Sequence, residues 1–352
     1  MARTFLPSIK VLVILLIVVA GCKRETESTT TTTTTTTGPT PYNFVKPLGF
    51  PNPYMPSFNP MTVEGVALGK ALYSDPILSS NGMSCSSCHN KTNSYSTPMY
   101  NAPNGYKISV LPHINMAFNS ICNWDGSVLV MDSLCMADFE PSIFNTHESE
   151  LFSRLLAHPY YPAMFKAAFG INHIDSLNFH DLKMKICFAI TQYIRSLVSA
   201  NSRYDAYRVF KKALTTSEQN GMFIFFSEKG DCFHCHSDPL FTDNGFHNNG
   251  LSDVFVGADL GRFNVTGKSS DVGMFHTPTL RNLIYTAPYM HDGRFTTLEQ
   301  VVDFYSTGVK VSPTLDPIMT KRLNNRATNL TPEEKVYLLD FLKTLTDTSY
   351  VQ

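Results

Sequence analysis

A mainly α fold in two halves with long loops is what this chain predicts, on three observations. Apolar residues recur at helical spacing in several segments, while strand-like alternation is scarce. Long stretches rich in Pro, Asn and Gly, such as residues 93–112 and 238–273, separate those segments and are too long for simple connections. One five-residue pattern occurs twice, 147 positions apart, once per half. The 352 residues are enough for two ordinary domains. The 43% hydrophobic share excludes wholesale disorder, and a formal net charge of −1 provides no basic field for nucleic acid.

The elements follow in chain order. Arg3 and Lys10 lead into the apolar run Val11 to Ala20, which ends in Gly21-Cys22. A basic start, a short apolar stretch and small residues before a cut make residues 1–22 a secretory signal, too short for a comfortable span. Cys after Ala-Gly resembles a bacterial lipobox, so Cys22 is expected to carry lipid on the periplasmic side and anchor the chain to a membrane. Losing the signal leaves 26 basic against 29 acidic residues, a formal charge of −3. Residues 23–45, with nine consecutive threonines from Thr29, read as a flexible tether. The first helix is expected from Val63 to Tyr73, slightly weakened by Gly65 and Gly69. A second runs from Leu182 to Leu197, with Ile186, Ile190, Tyr193, Ile194 and Leu197 as its inward stripe. Helices at 216–226, 297–305 and 331–345 follow, the last opened by a Thr331/Glu334 capping box. A domain boundary near 202–207 divides residues 46–204 from residues 205–352.

The repeated pattern is Cys85-Ser86-Ser87-Cys88-His89 and Cys232-Phe233-His234-Cys235-His236. C-x-x-C-H is the attachment signature of c-type haem. Two thiols form thioethers with the vinyl groups, and the next imidazole turns onto the iron. C-x-x-C alone also suits a redox pair or half a zinc site. Two full copies in one exported chain make those readings hard to sustain. Of the remaining cysteines, Cys122 and Cys135 could pair in an oxidising compartment. Cys187 falls in an apolar helical stripe, as an inert core thiol would.

Further residues carry a resemblance. Leu68-Gly69-Lys70-Ala71-Leu72-Tyr73-Ser74-Asp75-Pro76 leads into the first motif, and Trp124-Asp125-Gly126 follows it. Pro278-Thr279-Leu280-Arg281-Asn282 and Thr286-Ala287-Pro288-Tyr289-Met290-His291-Asp292-Gly293 follow the second. From about Pro60 to Leu345 the chain resembles the bacterial dihaem cytochrome c peroxidase family, which includes MauG-like enzymes. That resemblance implies two cytochrome c-like haem domains. The N-terminal haem, held by Cys85, Cys88 and His89, would meet hydrogen peroxide. The C-terminal haem, held by Cys232, Cys235 and His236, would receive electrons from a small cytochrome c or cupredoxin. Trp124 would lie between the haems, and Glu148 would be the acid/base carboxylate, with Glu150 and His147 as neighbouring alternatives. Tyr305, fourteen residues past His291, would be the sixth ligand of the second iron, with Met290 as the competing donor. Arg281 would hold a haem propionate and His291 would lie near the second haem. A calcium ion would bind the Asn115 side chain and the carbonyls of Thr286 and Pro288. Classical members also carry a histidine that blocks the first iron. His113 is the only His between His89 and Trp124, at an unusual spacing, so an open first iron is expected. A homodimer is within what the resemblance allows. Two other functions stay open: MauG-like oxidation of a partner protein, and a non-enzymatic dihaem electron carrier.

Overall fold

The computed structural model describes residues 38–97, 99–101, 107–119, 121–320 and 328–350. The signal segment, Cys22 and most of the tether lie outside the described residues. Described helices are α1 (Val63–Ser74), α2 (Cys85–Cys88), α3 (Glu148–Ala157), α4 (Tyr161–Phe169), α5 (Phe179–Ser196), α6 (Arg203–Arg208), α7 (Thr216–Phe225), α8 (Phe263–Thr266), α9 (Leu298–Asp303), α10 (Pro317–Thr320) and α11 (Pro332–Lys343). Strand is confined, among the described residues, to two antiparallel ribbons. They are β1 (Tyr100–Asn101) with β2 (Lys107–Ile108), and β3 (Phe246–His247) with β4 (Phe275–His276). The fold is mainly α.

The helix starts follow side-chain chemistry. Thr62, Asn178 and Thr297 cap α1, α5 and α9 by accepting from backbone N–H groups. Capping boxes open α7 (Thr215 with Glu218) and α11 (Thr331 with Glu334). The α7 box begins one residue before the expected helix. The expected helix at 297–305 changes character instead: α9 ends at Asp303 and Phe304–Gly308 forms a π turn carrying Tyr305. Helices α3 and α4 lie where no helix was expected. Their buried stripes are short, Leu151 and Leu155 in one and Tyr161, Phe165 and Ala168 in the other. The expected long loops contain β1 and β2 in one case, and β3 and α8 in the other.

Two large cores and one small one result. The first gathers buried side chains from Leu68 to Leu197, the second those from Tyr204 to Leu345, and the small one joins Phe50, Ala117 and Phe118 to Leu240. A pair of crossed helices centres each large core, α1 on α5 and α7 on α11. Glycine makes both crossings close. A Cβ on Gly69 would strike the Ala189 carbonyl of α5, and one on Gly221 the Tyr337 carbonyl of α11. Gly69, a modest weakness for an isolated helix, is therefore a requirement of the packing. Bidentate ion pairs lock both large cores: Arg195 with Asp132, both fully buried, and Arg281 with Asp205. None of the described helices is long and apolar enough to cross a membrane.

Candidate dihaem site

The first motif is a single turn, α2, closed by reciprocal hydrogen bonds between Ser84 and Ser87. Its thiols are free, and burial raises the pKa of both Cys85 and Cys88. His89 directs Nδ1 to the Tyr95 carbonyl at 3.1 Å. A carbonyl can only accept, so Nδ1 carries the proton and Nε2 remains as a lone-pair donor for a metal. Burial pushes the His89 imidazole down to about 4, which keeps it neutral. The motif lines a cavity of about 700 Å³ together with Tyr100, Trp124, Asp138 and Phe144.

His113 belongs to the His89 flank of this cavity. The two rings are stacked, with centroids 3.5 Å apart and planes 13° from parallel. His113 Nδ1 meets the Tyr73 hydroxyl at 3.2 Å, and its backbone N–H donates to the same Tyr95 carbonyl that holds His89. Held beside the proximal ring, His113 is not placed to cap an iron from the other face.

The second motif lines a smaller cavity, about 230 Å³. His236 Nδ1 bonds the Phe241 carbonyl at 3.0 Å, repeating the logic of His89. Tyr305 and Met290 both line this cavity. One residue connects them. The Asn249 amide donates to the Tyr305 hydroxyl oxygen at 2.9 Å and lies 3.8 Å from the Met290 sulfur. His247 is clamped between Asp316 (2.6 Å) and Asp243 (2.8 Å), and these two carboxylates raise its pKa to about 9. Neither Asn249 nor His247 was singled out from sequence: Tyr305 is 56 positions from Asn249 and Asp316 is 69 positions from His247, although Asp243 is only four away.

Trp124, His291, Phe275 and His276 line both cavities. Trp124 Nε1 donates to the Ser109 carbonyl at 2.7 Å, and the His291 ring lies edge-on to the indole at 6.4 Å. His291 stacks on Phe275 at 3.7 Å and reaches Asp259 through Nε2 at 3.0 Å.

The residues present fit two covalent haems. Each cavity combines a thiol pair, a neutral imidazole with fixed tautomer, and a mostly apolar lining. His276 also leaves a buried Nδ1 without a partner on the wall common to both cavities, where an added polar group would satisfy it.

Four sequence expectations meet a different geometry. Arg281 is absent from the cavity lining: its guanidinium forks onto Asp205 with two 2.8 Å bonds, and its Nε bonds the Pro239 carbonyl, so no propionate is held there. Asn115 is buried with its amide bonded both ways to the Ser199 backbone. Its side chain is thus turned to the Ser199 backbone rather than to Thr286 and Pro288. That segment instead meets Asn93, whose amide donates to the Tyr285 carbonyl, and Ser109, whose hydroxyl donates to the Pro288 carbonyl. Glu148 sits exposed at the start of α3, and the first cavity is not lined by it. Cys122 and Cys135 are both free and buried; Cys135 hydrogen-bonds with Cys187 instead.

Comparison with known proteins agrees with the site. The family described as di-haem cytochrome c peroxidase matches residues 63–213. The methylamine utilization protein MauG of Methylorubrum extorquens is 32% identical over 311 residues, covering 86% of this chain and 83% of that protein. A cytochrome-c peroxidase of Denitromonas iodatirespirans is 30% identical, covering 80% and 81%. Among solved structures, a MauG-like protein associated with microbial copper homeostasis superposes with a TM-score of 0.79 at 30% identity, covering 88% of this chain and 97% of that one.

Proposed function

This chain belongs to the di-haem cytochrome c peroxidase family, and on that premise we propose that it reduces hydrogen peroxide to water at the first motif with electrons entering at the second. Family membership makes it a peroxidase-class oxidoreductase with two c-type haems. The proposal goes further by assigning the sites. Cys85, Cys88 and His89 would hold the haem that serves peroxide reduction, and Cys232, Cys235 and His236 would hold the one that serves electron entry from a small cytochrome c or cupredoxin. The observation that carries electron passage between the two sites is the wall formed by Trp124 and His291, which faces both cavities. An oxidisable indole there shortens the path between two redox centres.

When bound, the haems supply the electron storage and the iron that engages peroxide. The protein's share is positional. Tyr95 fixes the tautomer of His89, and His113 and Tyr73 restrain its ring. Phe241 fixes His236 in the same way. Tyr305, oriented by Asn249, is the proposed oxygen ligand of the second site, with Met290 as the alternative donor. An anionic oxygen favours the oxidised metal, whereas a thioether favours the reduced one.

The two large hydrophobic cores support a division into domains at residues 46–204 and 205–352, which a small cluster of Phe50, Ala117, Phe118 and Leu240 joins into one compact unit. The N-terminal segment supports export and a lipid anchor at Cys22. The calcium proposal is reduced to the carbonyls of Thr286 and Pro288, since the Asn115 side chain is turned to the Ser199 backbone.

A second reading, oxidation of a partner protein, is favoured by Tyr305 lining the same cavity as His236 and by the likeness to MauG. The test is steady-state peroxide consumption by the fully haem-loaded protein with a reduced small cytochrome c. Peroxide-dependent oxidation of the cytochrome is the expected result. Peroxide reacting with the protein without donor turnover would overturn the first reading in favour of the second.

A further inference from the structure

We propose that Asp138 is the proton-handling group of the first cavity, taking a proton from peroxide and returning it to the departing oxygen. This rests on the peroxidase reading above.

Three features of the structure lead to Asp138. First, its place: it lies near the end of the 3-10 segment Met131–Phe139 and lines the same cavity as Cys85, Cys88 and His89. The Phe144 N–H donates to the Asp138 carbonyl at 2.8 Å and the Thr146 N–H to the Phe139 carbonyl at 3.1 Å, which pins the segment. Second, its electrostatic neighbours. Asp138 acts on Cys85 and Cys88 of α2, on Cys135 of its own segment and on Tyr100 of β1. It does not figure among the groups acting on His89 or His113. Asp138 therefore belongs with the thiols rather than with the stacked imidazoles. Third, its ionisation. Burial alone raises the carboxyl to about 7, and no cation or hydrogen-bond donor among the described residues offsets that shift. An acid/base group works best when its pKa is near the operating pH.

The competing carboxylates lack these features. Glu148 and Glu150 are exposed, and Glu150 already accepts from the Ser80 hydroxyl and pairs loosely with Arg154. His147 is exposed as well.

Peroxide reduction consumes two electrons and two protons and gives two waters. The O–O bond breaks, the electrons come from the donor protein, and the departing oxygen leaves as water once protonated. Ionised Asp138 accepts the proton of the incoming peroxide and then delivers it to that oxygen, so the residue is regenerated with no net proton change.

The experiment uses the diheme holoenzyme and cyanide, which arrives as HCN and must shed its proton to bind iron. Stopped-flow association rates across pH are the readout. The wild type is expected to show an inflection near the Asp138 titration. Asp138→Asn should lose that inflection and bind about 100-fold more slowly or worse, the lower end of the range attributed to a positioned base. Asp138→Glu should restore part of both. Full haem content and an unchanged second-haem spectrum establish that the variants fold. An Asp138→Asn enzyme that keeps the wild-type rate and inflection would overturn the proposal, most clearly if Glu148→Gln loses both. If wild-type protein shows the Asp138-dependent inflection yet turns over no peroxide with donor, the proton role stands and the peroxidase reading fails.

Discussion

His89 and His236 begin alike. Each gives Nδ1 to a carbonyl a few residues downstream, Tyr95 at 3.1 Å and Phe241 at 3.0 Å. The likeness extends to the segments after each motif. Asn115 and Asn282 both adopt left-handed backbone, both precede a 3-10 turn (Met116–Phe118 and Leu283–Tyr285), and each ties a distant strand of chain with its side chain. The two sites then diverge at the residue after the shared proline. Pro112 is followed by His113, which stacks on the His89 imidazole; Pro278 is followed by Thr279, whose hydroxyl donates to the Leu240 carbonyl and accepts from the Arg281 N–H. The remaining lining diverges too. The first cavity offers a half-buried acid, Asp138, whereas the second offers a phenol and a thioether, Tyr305 and Met290, both met by the Asn249 amide. One scaffold thus presents a wall suited to a small reactant and another suited to closing a metal's coordination.

Removing one thiol pair at a time is the harshest test of that asymmetry. Cys85→Ala with Cys88→Ala should leave one covalent haem by intact mass, abolish cyanide binding and stop turnover. Cys232→Ala with Cys235→Ala should also leave one haem and stop donor-driven turnover, but cyanide binding at the first site should persist. Indistinguishable cyanide behaviour in the two variants would erase the distinction between the sites.

Next in size is the second site's own ligand. Tyr305→Met should raise the potential of that haem on the order of 0.1–0.3 V, within the span axial ligands cover. Met290→Leu should move it little. The reverse pattern in a spectroelectrochemical titration would make Met290 the ligand and Tyr305 a packing residue.

These variants rest on residues that the sequence exposed to different degrees. Both C-x-x-C-H motifs, the Thr331/Glu334 box and the α5 stripe were legible because their determinants are local: fixed spacing, a cap three residues away, apolar residues every three or four. Arg281 was misassigned because its carboxylate, Asp205, is 76 positions upstream and nothing local announces the pair. Asn115 fails as a calcium donor for the same reason, its partner Ser199 being 84 positions away. Asp138 escaped notice because it sits in a 3-10 segment with no helical stripe, so nothing in its neighbours' periodicity signalled that it faces a cavity. Helix α4 was missed although its stop is local: Tyr161, Phe165 and Ala168 precede Gly170, which caps in left-handed backbone.

A smaller effect is expected at His113, and it should be confined to the first site. Ring stacking contributes about 1 kcal/mol beyond area burial. His113→Leu should therefore lower stability modestly and change the ring orientation of His89. The electron paramagnetic resonance g-values of the first haem's cyanide adduct should shift, while the second haem's signal stays. His113→Phe, which keeps a stacking face, should retain more of the wild-type spectrum than His113→Leu. A change in the second haem's signal would mean that the stack couples the two sites rather than serving one.

The smallest effect distinguishes the sites by pH. His247 beside the second cavity is raised to about 9 because Asp243 and Asp316 favour its charged form. A histidine with a raised folded pKa adds stability that is complete below its unfolded value, near 6.5, and fades as pH climbs through about 9. The three side chains are partly exposed, so solvent screening holds the contribution to roughly 1 kcal/mol. Asp138 acts earlier and by a different route. Its raised carboxyl favours the neutral form, so ionising it costs native stability as pH rises from about 4 through about 7. Thermal unfolding of the holoprotein should therefore lose stability in two separate windows. Asp138→Asn should flatten only the lower one and His247→Gln only the upper. If either variant flattened both windows, the two clusters would titrate as one system and the electrostatic separation of the two sites would be gone.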